Sequence, residues 1–346
     1  MSSEIKIIQF DDALRKGFFD FSQLVHPKEN SLKERMQWFT FNNPLAQSKS
    51  NLPGLVTITT DNELVGQFLM SPFEFLLRGK KHSGYFGYDF FVKEEFRSRG
   101  AGALLFVQGV RMYGPFIGVG LTPIVEKISK AAGMQTIGQL KRFIWVKNPL
   151  LLSGHLLKQR FMSGSSEADK TPSREPLADS VTVSGVSFQL AESLIDGFGL
   201  CSSDETLEPV RSKEFLQWRF GDSPCRYHVY VQPKSPGPLY FAVRRTVYQG
   251  MKLLLIVDYR FPQGQWQTLD FILQAAKEIA TQVQLDGVMM SSTCVPAEEA
   301  LVRERFKTAG RTSSVIAYLP SQEFSPPVNT ICLTVADSDL EFSLSD

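Results

Sequence analysis

The sequence predicts a mixed α/β fold divided into two similar domains, and three observations carry that expectation. The chain has 346 residues, beyond the size at which one hydrophobic core usually keeps growing. Short strand-like and helix-like patterns alternate along it, as in α/β or α+β packing around a mixed sheet. Two segments are near copies, ERMQWFTFNNP from Glu34 to Pro44 and EFLQWRFGDSP from Glu214 to Pro224. At a constant offset of 180 they share a Glu, an apolar residue two later (Met36, Leu216), Gln-Trp, and a Pro six residues after the Trp.

Taken in order, EIKIIQF alternates as a strand and Asp11 to Val25 carries a helical pattern. Each half then reads as a Trp-bearing helix, a long hairpin, a central strand, a helix, a strand, a last helix and closing strands. ISKAAGM around Gly133 matches RFKTAGR around Gly310, which predicts that both last helices end in Ala-Gly. The Trp shared by the two copies, Trp38 and Trp218, is expected in the core. Residues 1–150 form the first expected domain. The stretch SGSSEADKTPSREPLADS marks residues 151–184 as a linker, too poor in apolar groups to order itself. Residues 185–323 form the second domain, and 324–346 read as an acidic, Ser-rich tail.

Composition excludes some functions. Lys and Arg total 37 against 36 Asp and Glu, a formal charge of +1 with no basic run, so no nucleic-acid partner is expected. Cys201, Cys225, Cys294 and Cys332 form no CxxC pair and have no His at ligand spacing, so no metal site is expected and a reducing compartment fits. The start lacks a signal-like pattern, and no window approaches the roughly 18 apolar residues of a membrane span. A cytoplasmic protein is expected.

The informative stretch is SGYFGYDFFVKEEFRSRGAGALLFVQGVRMYG. A run rich in aromatic residues ends at Val92 and a helical pattern opens near Gly100. At such a junction the first N–H groups of the helix, backed by its ~0.5 positive charge, form an anion cradle when small residues leave the approach open. Gly100, Ala101 and Gly102 do so, Arg97 and Arg99 add charge, and Leu104, Leu105, Val107 and Val110 would hold the helix on the sheet. Glycine spacing alone fits a tight strand-to-helix turn equally well.

The segment VKEEFRSRGAGALL resembles motif A of the GNAT superfamily of acyl-CoA-dependent N-acyltransferases, V-x-P-x-x-[RQ]-x-x-G-x-[GA]-x-x-L. Val92, Arg97, Gly100, Gly102 and Leu105 fall in place, and Glu94 stands at the Pro position. The resemblance follows element order over residues 4 to about 147 and is sharp from Tyr85 to Leu105. It implies two tandem GNAT-like domains, and acetyl-CoA or another acyl-CoA as cofactor. It also implies that the strand before the loop splays from its neighbour, with the backbones of Phe90, Phe91 and Val92 along the pantetheine arm. Arg97, Ser98, Arg99, Gly100, Ala101, Gly102 and Ala103 would hold the pyrophosphate. Downstream, GLTPIVEKISKAAGM aligns with N-x-x-A-x-x-L-Y-x-x-x-G-F, placing Thr122 at the Asn and Ser129 at the Tyr that protonates the leaving thiolate in much of the family.

The implied reaction is attack of a small-molecule or peptide amine on a thioester, helped by positioning, an oxyanion donor, a base and an acid. Tyr88 stands where relatives often carry a Glu, and Asp89 beside it is expected on the opposite face by strand alternation. Tyr88, Asp89 and Ser129 are thus the catalytic candidates, while core packing for Tyr88 and a satisfied strand-edge carboxylate for Asp89 are the bland alternatives. His82, in KKHSG, reads as a solvated turn residue. In the second half the equivalent loop, RFPQGQWQTLDFI, keeps one glycine, Gly264, and carries Gln265 and Trp266 where small residues are needed. That copy is expected to have lost nucleotide binding. Three readings stay open: an N-acyltransferase, an acyl-CoA-binding or scaffold protein without turnover, and a purely structural interaction module that binds no CoA, against which the intact glycines argue.

Overall fold

A computed structural model describes residues 4–27, 32–46, 53–148, 176–192, 206–233, 239–310, 312–321 and 331–338. Most of the expected linker lies outside them. The first half supplies strands β1 (Ile5–Gln9), β2 (Gly54–Thr59), β3 (Leu64–Leu77), β4 (Lys80–Val92), β5 (Phe116–Val119) and β6 (Gln135–Val146). Its helices are α1 (Arg15–Val25), α2 (Leu32–Met36), α3 (Glu94–Arg97), α4 (Ala101–Met112) and α5 (Pro123–Ala131). The second half supplies β7 (Ser180–Val183), β8 (Val186–Leu190), β9 (Glu208–Pro209), β10 (His228–Val231), β11 (Tyr240–Tyr248), β12 (Met251–Arg260), β13 (Gly287–Ser292), β14 (Lys307–Thr308) and β15 (Ser313–Tyr318). Its helices are α6 (Lys213–Leu216), α7 (Thr268–Gln282) and α8 (Val295–Arg303). Among the described residues no helix is long and apolar enough to cross a membrane.

The chain forms two compact units that interleave along the sequence instead of following the blocks 1–150 and 185–323. One unit contains Met1–Gly138, Glu214–Cys225 and Ser314–Val328; the other contains Gln139–Lys213, Arg226–Ser313 and Asn329–Asp346. A closing strand goes wherever an edge accepts its hydrogen bonds, and composition carries no record of that choice.

In the first unit the strand order is β1-β2-β3-β4-β5-β15. β3 and β4 form the expected long hairpin, joined by Arg78 and Gly79 at φ 52° and 69°. Positive φ at both central residues gives the turn the twist that a two-residue hairpin needs. β4 and β5 are parallel, and β15 closes on β5 antiparallel from Val315↔Val119 to Tyr318↔Phe116. Helix α4 packs Leu105, Phe106 and Val110 against Phe68, Met70 and Phe116 of the sheet. Leu104 does not join that stripe. It is 60% exposed, and Phe106 is buried instead.

The shared Trp segments adopt the same local structure. Each is a short helix ending in a π-helical turn, Gln37–Phe41 after α2 and Gln217–Gly221 after α6. The indole N–H of Trp38 donates to the Trp218 carbonyl at 2.6 Å, and that of Trp218 donates to the Trp38 carbonyl at 3.0 Å. Both rings are buried and sit 5.8 Å apart. Burial costs an indole its water, and each ring recovers a hydrogen bond from the other segment's backbone.

In the second unit the order is β6-β13-β12-β11-β10-β8-β7, with β14 also on β6. α7 buries Leu269, Ile272, Leu273, Ala276, Ile279 and Ala280 in this unit's core. The expected Ala-Gly helix end is found at α5, where Gly133 takes φ 85° and Met134 N–H bonds Ser129 C=O at 3.0 Å. α8 ends earlier than expected. Arg305, at φ 61°, fills the left-handed position, Phe306 N–H bonds Leu301 C=O at 2.9 Å, and Ala309-Gly310 lies beyond β14. A non-glycine residue tolerates that conformation at a cost of roughly 1–2 kcal/mol, so a glycine need not mark a helix end. Of the expected tail, Ile331–Ala336 is buried and begins with a bridge from Ile331 to Leu207.

Candidate acyl-CoA site

β4 pairs with β5 only at Tyr85↔Phe116 and Phe86↔Ile117, yet β4 runs on to Val92. The two strands therefore part beyond Phe86, and among the described residues no strand pairs with that edge of β4 from Gly87 to Val92. The Phe116 ring lies under Gly87, where a Cβ would overlap it and would come within 3.0 Å of Phe68. Phe116 is buried against Phe68 and Phe106, so it cannot move aside cheaply. Gly87→Val is expected to destabilise the protein by about 1–3 kcal/mol through overpacking, read as a lower urea midpoint.

β4 carries a bulge opposite Phe68, where the register slips between Gln67↔Phe91 and Leu69↔Tyr88. Asp89 takes φ 47°, the left-handed region that Asp enters more readily than most residues. The bulge overturns the expected alternation, because Tyr88 and Asp89 both turn to the layer of α1 and α2. The Tyr88 hydroxyl donates to Thr40 Oγ1 at 2.8 Å, and its ring meets Phe39 edge-on at 5.0 Å. Asp89 Oδ1 meets His26 Nε2 at 2.8 Å, and Oδ2 accepts from Gln67 Nε2 at 2.5 Å. Gln67 in turn bonds Ser22 of α1. Sequence reasoning missed His26. It lies 63 residues from Asp89, and only the tertiary fold joins them.

After Val92 come the short helix α3, a turn through Ser98 and Arg99, and Gly100 at φ 74° as the N-cap of α4. Loop bonds run from Arg99 N–H to Phe96 C=O at 3.3 Å and from Gly100 N–H to Arg97 C=O at 3.1 Å. The helical ladder starts only at Leu104 N–H to Gly100 C=O, 3.0 Å. The N–H groups of Ala101, Gly102 and Ala103 precede that first bond and lack a carbonyl four residues back within the helix. No loop carbonyl takes them among the described residues. A Cβ on Gly100 would meet nothing within 4 Å, and one on Gly102 would touch Phe90 and Val92 at 3.6 and 3.7 Å. Those donors fit a diphosphate. Arg97 leans back on the strand, its Nε donating to Val92 C=O at 2.8 Å and its guanidinium 5.1 Å from the Phe91 ring. Arg99 lies over Phe96, 5.2 Å from the ring centre.

The remaining predicted residues make local contacts. Thr122 caps α5, its hydroxyl accepting from Val125 N–H at 3.4 Å. Ser129 is fully buried, with its hydroxyl donating to Val125 C=O at 2.6 Å. A proton spent on the helix's own carbonyl is not presented to a leaving thiolate. His82 is a β4 residue stacked on Phe75, 5.3 Å between ring centres, rather than a turn residue.

The corresponding junction in the second unit is closed. Thr268, Leu269 and Asp270 N–H at the start of α7 bond the carbonyls of Gln265, Trp266 and Gln267 at 2.9, 3.1 and 3.2 Å. Trp266 packs edge-on against Phe261 at 5.2 Å. The donors that are open in α4 are consumed here.

A mixed sheet with splayed parallel strands and an open helix N-terminus at the splay defines a class: the fold is that of the GNAT-like acyl-CoA N-acyltransferases. Among solved structures, Saccharomyces cerevisiae N-myristoyltransferase with bound myristoyl-CoA is similar at a TM-score of 0.59 and 13% identity, over 96% of this chain and 84% of that one. A GCN5-related N-acetyltransferase from Anabaena variabilis is similar at 0.53 and 12%, over 91% and 73%. Another from Kribbella flavida gives 0.53 and 12%, over 92% and 71%. The likeness takes in both halves of the chain. No family model matches the sequence, and no curated protein matches it either.

Proposed function

We propose that this protein is an acyl-CoA-dependent N-acyltransferase that holds acyl-CoA at the α4 loop and transfers the acyl group, acetyl in the first instance, to a small-molecule or peptide amine. The observation that carries the reading is the run of open amides at Ala101, Gly102 and Ala103, set against the filled equivalents at α7. Acyl-CoA supplies an activated thioester. The chain's part is to grip the diphosphate with N–H groups and a helix dipole, and to lay the arm along the open edge of β4 at Phe90, Phe91 and Val92. The second half is read as a copy of the first that has given up this site, and a reducing cytoplasm is the compartment that fits its cysteines.

Thermal unfolding with and without acetyl-CoA tests the site. At a hundred times its dissociation constant a ligand adds about 2.7 kcal/mol of apparent stability, and an unchanged unfolding temperature would reject the reading. Running myristoyl-CoA beside acetyl-CoA tests the choice of acyl group, since the chain that fits shifts the transition further. A second reading, an acyl-CoA-binding protein without turnover, is favoured by the internal commitment of the Tyr88 and Ser129 hydroxyls. It predicts the same shift with no thiol release on any amine panel.

A further inference from the structure

We propose that the Phe116 ring sets the length of acyl group the splay admits, favouring acetyl over butanoyl and longer chains, an inference that rests on reading β4 as the acyl-CoA strand. The last residues to pair across the splay are Phe86 and Ile117, so Gly87 is the first residue of β4 past the vertex. At the other end the α4 amides sit beside Val92, since a Cβ on Gly102 would come within 3.7 Å of that side chain. From Val92 back to Gly87 the strand covers about 16 Å at ~3.3 Å a residue, the reach of an extended pantetheine arm. An arm gripped at Gly102 and laid along β4 therefore brings its thioester to Gly87.

What stands at Gly87 is aromatic on both faces. On the α4 face Tyr85 and Phe90 pack against the core of this unit, and Gly87 leaves a gap in the row between them. The Phe116 ring fills that gap, because a Cβ on Gly87 would overlap two of its carbons. Phe116 is itself buried, 5.8 Å from Phe68 and 6.2 Å from Phe106 between ring centres, and those two rings stack on each other at 5.1 Å. Phe90 meets both of them edge-on, at 5.1 and 5.5 Å. On the opposite face Tyr88 packs against Phe39 at 5.0 Å and Phe86 against Phe73 at 4.1 Å.

Rings interlocked in this way have little freedom to part, and extra carbon forced among them is destabilising. An acetyl group ends one methyl past its carbonyl. Each further methylene needs volume that the Phe116 ring already takes. Phe116 thus meets the acyl group, while Phe68 and Phe106 hold it in place. Such a site discriminates by roughly 10–200-fold for a methylene gained or lost.

Calorimetric titration of the full chain with coenzyme A, acetyl-CoA, butanoyl-CoA and octanoyl-CoA tests the assignment. For the natural protein, coenzyme A and acetyl-CoA are expected to bind alike, butanoyl-CoA at least about tenfold more weakly, and octanoyl-CoA more weakly again. Phe116→Leu is expected to narrow the gap between acetyl-CoA and butanoyl-CoA by about tenfold and to leave coenzyme A binding unchanged. Loss of packing alone would weaken all the ligands together and preserve their ratio. Should Phe116→Leu not fold, Phe116→Met carries the same expectation, since its flexible side chain conserves volume yet can retreat. Absence of coenzyme A binding overturns the acyl-CoA reading and this inference with it. Coenzyme A binding with butanoyl-CoA as tight as acetyl-CoA overturns this inference alone, and so does a gap that the folded variant leaves unchanged.

Discussion

Replacing Gly102 with Trp is expected to abolish the rise in unfolding temperature that coenzyme A produces, while the protein remains folded. A Cβ at this position fits, meeting Phe90 and Val92 at ordinary contact distances of 3.6 and 3.7 Å. The rest of an indole then projects into the splay and across the amides of α4. Excluding the diphosphate removes the whole of the about 2.7 kcal/mol expected at a hundredfold excess over the dissociation constant. Gly102→Ala is the informative control. Its methyl group faces the strand, so the coenzyme A response is retained, and Ala in place of Gly within a helix adds roughly 0.5–1 kcal/mol of stability. Gly264→Trp, at the junction whose amides are already bonded, is expected to leave the coenzyme A response unchanged.

The largest stability effect is expected at Asp258. This carboxylate is fully buried, bonded by Arg211 at 2.7 and 3.1 Å, by Arg260 at 3.1 Å and by the Tyr240 hydroxyl at 2.5 Å. Arg211 also pairs with Asp337 at 2.7 Å, and Arg260 with Glu208 at 3.1 Å. Burial alone would raise the Asp258 carboxyl. The two guanidinium groups and the hydrogen bonds from Arg211 and Tyr240 outweigh it and hold the carboxyl well below the usual carboxylate range. Asp258→Asn strips charge from between two buried arginines and is expected to cost about 3–5 kcal/mol at pH 7, measured by urea unfolding. The pH dependence follows from the sign of the shift. A carboxyl whose folded pKa lies below its unfolded value of about 3.9 contributes fully above 3.9 and loses that contribution as pH falls toward the folded value. The gap between the natural protein and Asp258→Asn is therefore expected to narrow as pH is lowered from 4 toward 2, because only the natural protein has this contribution to lose. Asp337 ties the segment around Ile331–Ala336 to the same network, which is why a stretch that reads as a polar tail is packed.

Much of the candidate site's backbone geometry was legible because its logic is local. Strand, small-residue loop and helix follow one another between Tyr85 and Leu105, and each signal comes from a residue's own backbone preferences and from its immediate neighbours. The closed junction in the second half was legible for the same reason, since Gln265 and Trp266 occupy the positions that had to be small. The shared Trp segments were legible as packing, although not as a reciprocal pair of indole-to-carbonyl bonds. Three details escaped. The bulge at Asp89 reverses a face that period-two alternation assigns. The helical register turns Leu104 outward and Phe106 inward. A hydroxyl in the sequence does not say whether it is already bonded, and those of Ser129 and Tyr88 are.

The sequence by itself determined that there are short strands, a glycine-lined junction able to present bare amides, and a second junction unable to. Those properties depend on which residues lack side chains, and that is written in the chain. Only the tertiary structure decided that β15 closes the sheet of the first unit, that Arg211 and Asp337 meet over Asp258, and that Asp89 has an imidazole beside it. Such pairings join residues far apart in sequence, and they are selected by shared burial and by which hydrogen-bonding edges remain open, quantities that exist only after the chain has packed.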